Sequence, residues 1–369
     1  MVTKVPDSPP PALKEIFNEA RYRSLAKRVR EIYPAFETKR FLPLVLTDLD
    51  SRSLLQRMRR TTEALRETLP TAYPAALKIL RQLAPHLQHS FASIVLPDFV
   101  ALYGKKHYDL SLNALKYFTT FGSAEFAIRE FLKVDLTRTL KVMSAWADDE
   151  NEHVRRLASE GSRPRLPWSF RLDAIIQDPS LTAPILGKLV DDPSLYVRKS
   201  VANHLNDISK DHPNWLISWL RALDLTRPHP KWIAKRAVRT LVKRGHPEAL
   251  ALIGATGKAE IQVQDFAVSP KIVRLGEPVV LTFRFIAKGT RSQHVVIDYL
   301  VHYVKSSGAT SAKVFKWKSL DLAPDQRVVL TRTQRIQDFT TRRHFSGVHR
   351  IEVMANGRIV AESSFELKS

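Results

Sequence analysis

A carboxylate near a predicted helix end, followed by arginines and a tryptophan, is the feature of this sequence best suited to chemistry. Residues 154–168 read VRRLASEGSRPRLPW. Gly161 and Pro164 predict that the helix ends just after Glu160. A carboxylate there opposes the helix macrodipole, so helix stability does not explain it. Glu160 is therefore either a catalytic carboxylate or one half of a surface ion pair with a neighbouring arginine.

A second carboxylate follows from an internal repeat. Aligning Val154 with Val197 places Glu160 at the position of Asn203, and Asp207 lies one helical turn further along the same face. Glu160 and Asp207 are therefore predicted to face one groove, although Asp207 could instead cap the turn that follows it. The catalytic hypothesis fails if the two lie on opposite sides of the helical array, or are held inside it by ion pairs.

Trp168 and a set of basic residues are the predicted contacts to a ligand. Trp168 follows a proline in a predicted loop, where it could stack on a base or instead fill a gap between repeats. The basic residues suit phosphate binding. They are Arg155, Arg156, Arg163, Arg165, Arg198 and Lys199. For Arg155 and Arg198 a second interpretation stays open, in which they bridge neighbouring repeats.

The elements that carry these residues are predicted to be stacked helices. The segments ENEHVRRLASEG, PSLYVRKSVANHL and PKWIAKRAVRTL share a polar start, an apolar position, a basic pair and a stripe of small residues. Their spacing of about 40 residues is typical of HEAT-like helix pairs, which stack to bury their apolar faces. Residues 12–256 are therefore predicted to form an all-α HEAT-like solenoid, after a flexible N-terminus at residues 1–11.

Residues 257–369 show a different pattern. Short runs rich in β-branched and aromatic residues alternate with turn signals, and Asn356-Gly357 between two such runs predicts a hairpin. About seven short strands in this length indicate an all-β immunoglobulin-like sandwich. The predicted fold class is thus multidomain, with a helical solenoid followed by a sandwich.

Composition favours a polyanionic partner. The chain has 58 Lys and Arg against 37 Asp and Glu, a formal net charge of +21, and the excess is spread over both predicted regions. The absence of Cys excludes disulfides and thiolate metal sites. The scattered histidines suggest no metal, and no cofactor motif is present. The most apolar window is interrupted by Pro97 and Asp98 and is too short to span a bilayer. We expect a soluble, cytoplasmic, nucleoid-associated protein. Nothing in the sequence suggests more than a monomer.

Several motifs together resemble the AlkC branch of the AlkD-like DNA alkylation repair glycosylases. The most specific is SEGSRPRLPW, which follows the turn AWADDENEH; FTTFGSAEFAIREFL and DDPSLYVRKSVANHLNDISKDHP extend the similarity over about residues 12–254. The resemblance places Glu160 and Trp168 in the family motif, Asp207 at an acidic position, and Glu125 at a further acidic position of the lesion-facing cleft. The C-terminal region is similar to an Ig-like domain that some members carry.

The resemblance implies a metal-independent enzyme acting on double-stranded DNA. Its substrates would be cationic bases such as 3-methyladenine and 3-methylcytosine, excised without enclosing the base in a pocket. Lys288, Arg291, Arg342 and Arg343 of the sandwich are then candidate DNA contacts. Two other functions remain open on the sequence: a non-catalytic nucleic-acid-binding scaffold, and a HEAT-type protein-interaction adaptor without the salt dependence of phosphate contacts.

Overall fold

A computed structural model describes residues 12–87, 91–255, 257–339 and 343–368. The predicted flexible N-terminus, residues 1–11, lies outside the described residues. Over the described ranges the chain forms sixteen α-helices with six short 3-10 turns, followed by eight β-strands. The predicted fold class, a helical region followed by an Ig-like all-strand region, is therefore confirmed.

The helices are short, and most are amphipathic. In order, α1 to α16 span Glu19–Ile32, Thr38–Leu46, Leu54–Thr68, Tyr73–Leu83, Val95–Tyr103, Tyr108–Phe118, Glu125–Val134, Leu136–Trp146, Glu152–Gly161, Asp173–Gln177, Ala183–Leu189, Leu195–Ile208, Pro213–Arg221, Pro228–Ala237, Arg239–Lys243 and Pro247–Leu252.

Helix α9 shows how local sequence sets these elements. Its N-cap Asn151 accepts a hydrogen bond from the backbone N–H of His153, which satisfies one of the unpaired donors at the helix start. The helix ends at Gly161, as predicted. A Cβ at this position would lie 2.4 Å from Ile128 Cγ2 of α7, so glycine allows the two helices to approach closely.

The strands form two sheets. In order, β1 to β8 span Ile261–Ser269, Ile272–Arg274, Pro278–Ala287, Gln293–Val304, Thr310–Leu322, Arg327–Arg335, Gly347–Ala355 and Arg358–Lys368. One sheet has the order β1-β3-β6 and the other β2-β8-β7-β4-β5, in which only the short β2 runs parallel to its neighbour. The described part of this region has eight strands, against about seven predicted from the sequence.

The predicted hairpin at Asn356-Gly357 is confirmed. Both residues have positive φ, 46° and 75°, as a two-residue type I′ turn requires, and Ala355 pairs with Arg358 across it. The turn also packs on another backbone: a Cβ on Gly357 would lie 2.1 Å from the Cα of Gly245, in the turn between α15 and α16. Glycine at both positions permits this approach.

The described residues pack as two compact units, one ending at Asp207 and the other beginning at Ile208. Secondary structure changes from helix to strand between Leu252 and Ile261, so helices α13 to α16 belong to the same compact unit as the sandwich. All of the candidate catalytic residues, Glu125, Glu160 and Asp207, belong to the first unit.

Candidate active site

Three helices and one loop of the first unit carry the candidate site. Glu125 is the first residue of α7, Glu160 lies in the last turn of α9, and Asp207 lies near the end of α12. Trp168 belongs to the loop of residues 162–172 that joins α9 to α10. The structure thus brings the predicted site residues of α7, α9 and α12 into one cluster, through the arginines described next.

Arg163 joins two of the three carboxylates. Its Nη1 donates to Glu160 Oε1 at 2.6 Å, and its Nε donates to Asp207 Oδ2 at 2.9 Å. The other oxygen of Glu160, Oε2, accepts a hydrogen bond of 2.6 Å from the hydroxyl of Ser200 on α12. Glu160 and Asp207 were predicted to face one groove. In the structure they come from adjacent repeats and both contact the guanidinium of Arg163.

Arg156 joins the third carboxylate to the cluster. Its guanidinium lies 3.5 Å from Glu125 and 3.8 Å from Glu160, and it donates to Ser123 Oγ at 3.3 Å. The same guanidinium sits over the ring of Tyr196, 4.6 Å from its centroid, an arrangement in which the ring face stabilises the cation. Arg156 is thus held from four sides inside the cluster.

The two glutamates differ in proton affinity. Burial raises the pKa of Glu125, and the Arg156 guanidinium only partly opposes this. Burial also acts to raise the pKa of Glu160, but Arg156, Arg163 and the hydrogen bond from Ser200 outweigh it and hold that pKa below its usual range. Glu160 is therefore a firmly ionised carboxylate, whereas Glu125 takes up a proton more readily.

Both glutamates border a cavity of about 530 Å³. We call it the carboxylate cavity. Its charged lining consists of two carboxylates, from Glu125 and Glu160, and one guanidinium, from Arg163; His153 and Trp168 also border it. The remaining lining residues are Phe91, Ser93, Ile94, Gly122, Ser123, Phe126, Leu166 and Pro167. A largely apolar cavity with excess negative charge suits a ligand that carries or develops positive charge.

Asp207 occupies a different position from the two glutamates. It is only 3% exposed, does not line the carboxylate cavity, and reaches it through Arg163. Because Asp207 lies in the interior and is ion-paired, its position argues against a direct catalytic role. Glu160 is also buried and ion-paired, at 6% exposure, but it borders the cavity.

A buried arginine on α7 fixes the loop that carries Trp168. Arg129 is fully buried, and its guanidinium donates to the carbonyls of Gly161 (3.1 Å), Arg163 (2.6 Å) and Phe170. Burial lowers the pKa of Arg129 to about 10. Within the loop Trp168 has a φ of 66° and is 65% exposed. A non-glycine residue in this conformation is strained, and the three hydrogen bonds hold the loop around it.

Comparison with known proteins bears on both regions. The family described as "DNA alkylation repair enzyme" matches residues 75–241, and the family described as "Uncharacterised protein YhaZ, C-terminal Ig-like domain" matches residues 262–369. The chain is 45% identical over 356 residues to the Bacillus subtilis (strain 168) protein named "Uncharacterized protein YhaZ", which covers 96% of this chain and 99% of the relative.

A solved structure gives a closer match. The Pseudomonas fluorescens alkylpurine DNA glycosylase AlkC, bound to DNA containing an abasic site analogue, superposes with a TM-score of 0.95 and is 50% identical. The match covers 97% of this chain and 100% of the other. This chain belongs to the AlkC branch of the DNA alkylation repair enzymes. The resemblance inferred from the motifs is confirmed by these matches.

In this AlkC-type chain, two of the predicted DNA contacts make hydrogen bonds within the helical array. Arg155 pairs with Asp192 of the next repeat, with Nε 2.6 Å from Oδ2 and Nη2 3.1 Å from Oδ1. Arg198 donates to the carbonyls of Asp192 (2.6 Å) and Pro193 (2.8 Å). The contacts of Arg155 favour the second interpretation, in which it bridges neighbouring repeats. Those of Arg198 are local, because Asp192 and Pro193 lie in the turn just before its own helix, α12.

The other predicted basic contacts divide by exposure. Lys199 is exposed on α12, and Arg165 is half-buried in the loop after α9. Arg156 and Arg163 are largely buried in the carboxylate cluster. Lys199 is therefore the best placed of the four to meet a phosphate, whereas Arg156 and Arg163 act on the charge of the cluster.

Several residues of the AlkC-type site were missed in the sequence. Arg129 fixes the Trp168 loop, Tyr196 packs on Arg156, and Ser200 holds Glu160. His153 borders the cavity and packs edge-on against Tyr196 at 5.5 Å. His204 bridges α12 to the carbonyl of Ser159, and burial lowers its pKa to about 4, so it is neutral. The repeat alignment could have indicated Ser200, which lies three residues before the position aligned with Glu160.

The candidate DNA contacts of the sandwich lie on its surface. Lys288 is 3.5 Å from Asp325, and Arg291 and Arg343 are exposed. Arg342 lies outside the described residues. Across the described part of the chain no helix is long and apolar enough to cross a membrane, and no three His, Asp or Glu side chains gather as they would around a metal ion.

Proposed function

We propose that this chain is a DNA glycosylase that hydrolyses the N-glycosidic bond of cationic alkylated bases in duplex DNA. We propose 3-methyladenine and 3-methylcytosine as substrates. The observation that carries the proposal is the pair of carboxylates, Glu125 and Glu160, at one cavity beside an exposed tryptophan. The solved relative, an alkylpurine DNA glycosylase that was captured on DNA with an abasic site analogue, supports the same reaction.

The chemistry requires charge stabilisation more than acid catalysis. A cationic base leaves with the electron pair of the C1′–N bond and becomes neutral, so it needs no strong protonation. Positive charge then builds on the deoxyribose as an oxocarbenium ion. Carboxylates that are ionised and already in place stabilise this charge without reorganising during the reaction. Glu160, held ionised by Arg163 and Ser200, meets this requirement.

Glu125 is the better candidate for activating water. Both oxygens of Glu160 already accept short hydrogen bonds, which lowers their affinity for a further proton. Glu125 makes a longer contact, 3.5 Å from Arg156, and burial raises its pKa. A base with a raised pKa accepts a proton from attacking water more readily. We therefore assign Glu125 to the water and Glu160 to the sugar cation.

Asp207 and Trp168 complete the proposed assignment. Asp207 is a positioning residue, because it fixes Arg163 and acts on Glu160 through it. Trp168 projects from a fixed loop next to both glutamates, where its ring can pack on the deoxyribose or the lesion. The base itself stays outside an enclosing pocket, and initiation of base excision repair follows from the abasic site that the reaction leaves.

Base release from methylated duplex DNA under single-turnover conditions tests the proposal. We expect the wild-type chain to release 3-methyladenine, and Glu125→Gln and Glu160→Gln each to lower the rate about 100-fold or more. The matched control is Glu31→Gln, which removes an exposed carboxylate paired with Arg28 on α1. If wild-type protein binds the duplex but releases no base, the chain is the nucleic-acid-binding scaffold instead.

We also propose that the sandwich contributes to DNA binding. It carries exposed basic residues, Arg291 and Arg343 among them, and phosphate contacts weaken with salt. Arg291→Glu with Arg343→Glu should weaken duplex binding and flatten its salt dependence. Charge reversal is a cleaner test than deletion of residues after Gly257, because deletion would also uncover the helical turn at Gly245. Unchanged binding by the double variant would contradict this role.

A further inference from the structure

A second cavity, of about 640 Å³, adjoins the carboxylate cavity and has no part in the proposed reaction. It is lined by α3, α5, α7 and the Trp168 loop, all within the first unit. Four residues, Ile94, Ser123, Phe126 and Trp168, border both cavities. The two spaces are therefore neighbours that share a wall, and a small molecule leaving one has a short path to the other.

The second cavity is lined by apolar side chains together with charged ones. Phe126, Trp168 and Phe170 supply aromatic surface, and Asp98 of α5 borders the same cavity at 8% exposure. The other charged lining residues are Arg52, Arg59, Arg60, Glu63, Lys105 and Glu130. Asp98 Oδ1 accepts a hydrogen bond of 3.0 Å from Arg59. Oδ2 is enclosed by protein atoms, and the hydroxyl of Thr62 also acts on this carboxyl group. Because a carboxylate oxygen can accept more than one hydrogen bond, Oδ1 keeps acceptor capacity beside the aromatic walls. This combination suits a planar ligand that carries N–H donors.

The proposed reaction produces such a ligand next door. Hydrolysis breaks the C1′–N bond, the electron pair leaves with the base, and the water oxygen bonds to C1′ after losing its proton to Glu125. The base is thereby a neutral, flat aminopurine or aminopyrimidine. Its rings can stack on the aromatic walls, and its amino group can donate to Asp98. We propose that the second cavity is a subsite for the excised base; this rests on the proposed function.

Binding of free 3-methyladenine to the full chain without DNA tests the subsite, by calorimetry or ligand-observed NMR. We expect weak saturable binding, with a Kd of about 1 mM. Leu102→Trp fills the second cavity, because Leu102 lines only that one, and should weaken binding about tenfold or more. Asp98→Asn is nearly isosteric and should weaken it as well. Leu110→Trp is the matched control, since Leu110 is exposed on α6 and lines neither cavity.

The outcomes separate the subsite from the reaction. The subsite is overturned if the wild type shows no saturable binding, or if both Leu102→Trp and Asp98→Asn bind the base as the wild type does. It is supported if both variants lose affinity while Leu110→Trp keeps it. Failure of the proposed function is read from the methylated-DNA assay alone, as absence of base release. A chain that releases the base but does not bind it free retains the function and lacks the subsite.

Discussion

Two nitrogens of Arg163, Nε and Nη2, lie 2.9 and 2.8 Å from the same oxygen of Asp207, Oδ2. The remaining terminal nitrogen of Arg163 is directed to Glu160. Asp207 therefore sets the orientation of the guanidinium that keeps Glu160 ionised. Asp207 should therefore affect the reaction indirectly, through the position of Arg163.

Substitution of Asp207 should thus be milder than substitution of Glu160. In Asp207→Asn the amide oxygen can still accept from Arg163, so the guanidinium keeps its place with a weaker hold. We expect a fall in single-turnover rate of about tenfold, against about 100-fold for Glu160→Gln. A larger loss in Asp207→Asn than in Glu160→Gln would contradict the positioning role and return Asp207 to direct chemistry.

The two glutamates should affect stability in opposite directions at pH 7. Burial raises the pKa of Glu125 in the folded state, so its contribution is present below the unfolded value of 4.5 and is lost as pH rises through the folded pKa. Removing the charge in Glu125→Gln should therefore raise the midpoint of thermal unfolding at pH 7.

Glu160→Gln should lower that midpoint. The pKa of Glu160 is depressed, so its contribution is present above the unfolded value of 4.5 and is lost as pH falls through the folded pKa. The substitution leaves the buried Arg163 with a weaker partner, which costs about 2–4 kcal/mol. Thermal unfolding at pH 7 and at pH 4 gives the comparison, and the difference from wild type should shrink at the lower pH. Shifts of the same sign in both glutamate variants would refute the assignment.

Trp168 allows stability and activity to be separated. Because its φ is 66°, glycine at this position removes backbone strain, while alanine does not. Trp168→Gly should be more stable than Trp168→Ala by about 1 kcal/mol. Both should lose base excision to a similar extent, since both remove the ring. Denaturant unfolding and the excision assay measure the two effects, and equal stability of the two variants would argue against strain at this residue.

Arg129 should be important for folding of the site although it does not line the carboxylate cavity. Arg129→Met removes three donors and leaves the carbonyls of Gly161, Arg163 and Phe170 without them, which costs about 2–4 kcal/mol. The matched control is Arg23→Met, which breaks an exposed pair with Glu19 and should cost about 0.5 kcal/mol at most. Chemical denaturation tests the difference, and proteolysis near the Trp168 loop should accelerate only in Arg129→Met.

The hairpin at Gly357 should tolerate no side chain. In Gly357→Ala the Cβ would meet the Gly245 backbone at 2.1 Å, in addition to the cost of a positive φ. Gly308 has a similar φ of 78°, but among the described residues a Cβ there meets nothing within 4 Å. We expect Gly308→Ala to cost about 1 kcal/mol, and Gly357→Ala at least about 2 kcal/mol more. Equal losses, measured by thermal unfolding, would show that the turns at Gly245 and Gly357 do not touch.

The sequence predicted those features that depend on residues close together along the chain. The change from helical to strand periodicity gave both regions, and Asn356-Gly357 gave a turn that needs two positive φ angles. Gly161 and Pro164 located the helix end that places Glu160. The repeat alignment went one step further, because stacking of equivalent helices brings α9 and α12 together wherever the repeat is regular.

The missed residues depend on contacts that no local pattern encodes. Arg129 lies in FAIREFL, where an arginine is expected to point to solvent, and its burial is compensated only by carbonyls 32 to 41 positions away. Tyr196 is on the turn that begins α12, and only the stacking of repeats places its ring under Arg156. The coupling of Asp207 to Glu160 through Arg163 likewise needs three segments in register.

The contact between Gly245 and Gly357 bears on how this architecture can be inherited. The final helices share a compact unit with the sandwich, so recombination at the helix-to-strand junction would split that unit. The backbone of Gly245, which Gly357 covers in this chain, would then be exposed to water. A lineage that acquires or discards the sandwich must therefore also rebuild the surface of its last helical turns. Gly245 itself is expected to persist in relatives lacking the strands, because its φ of 72° at the end of α15 favours glycine independently of the sandwich.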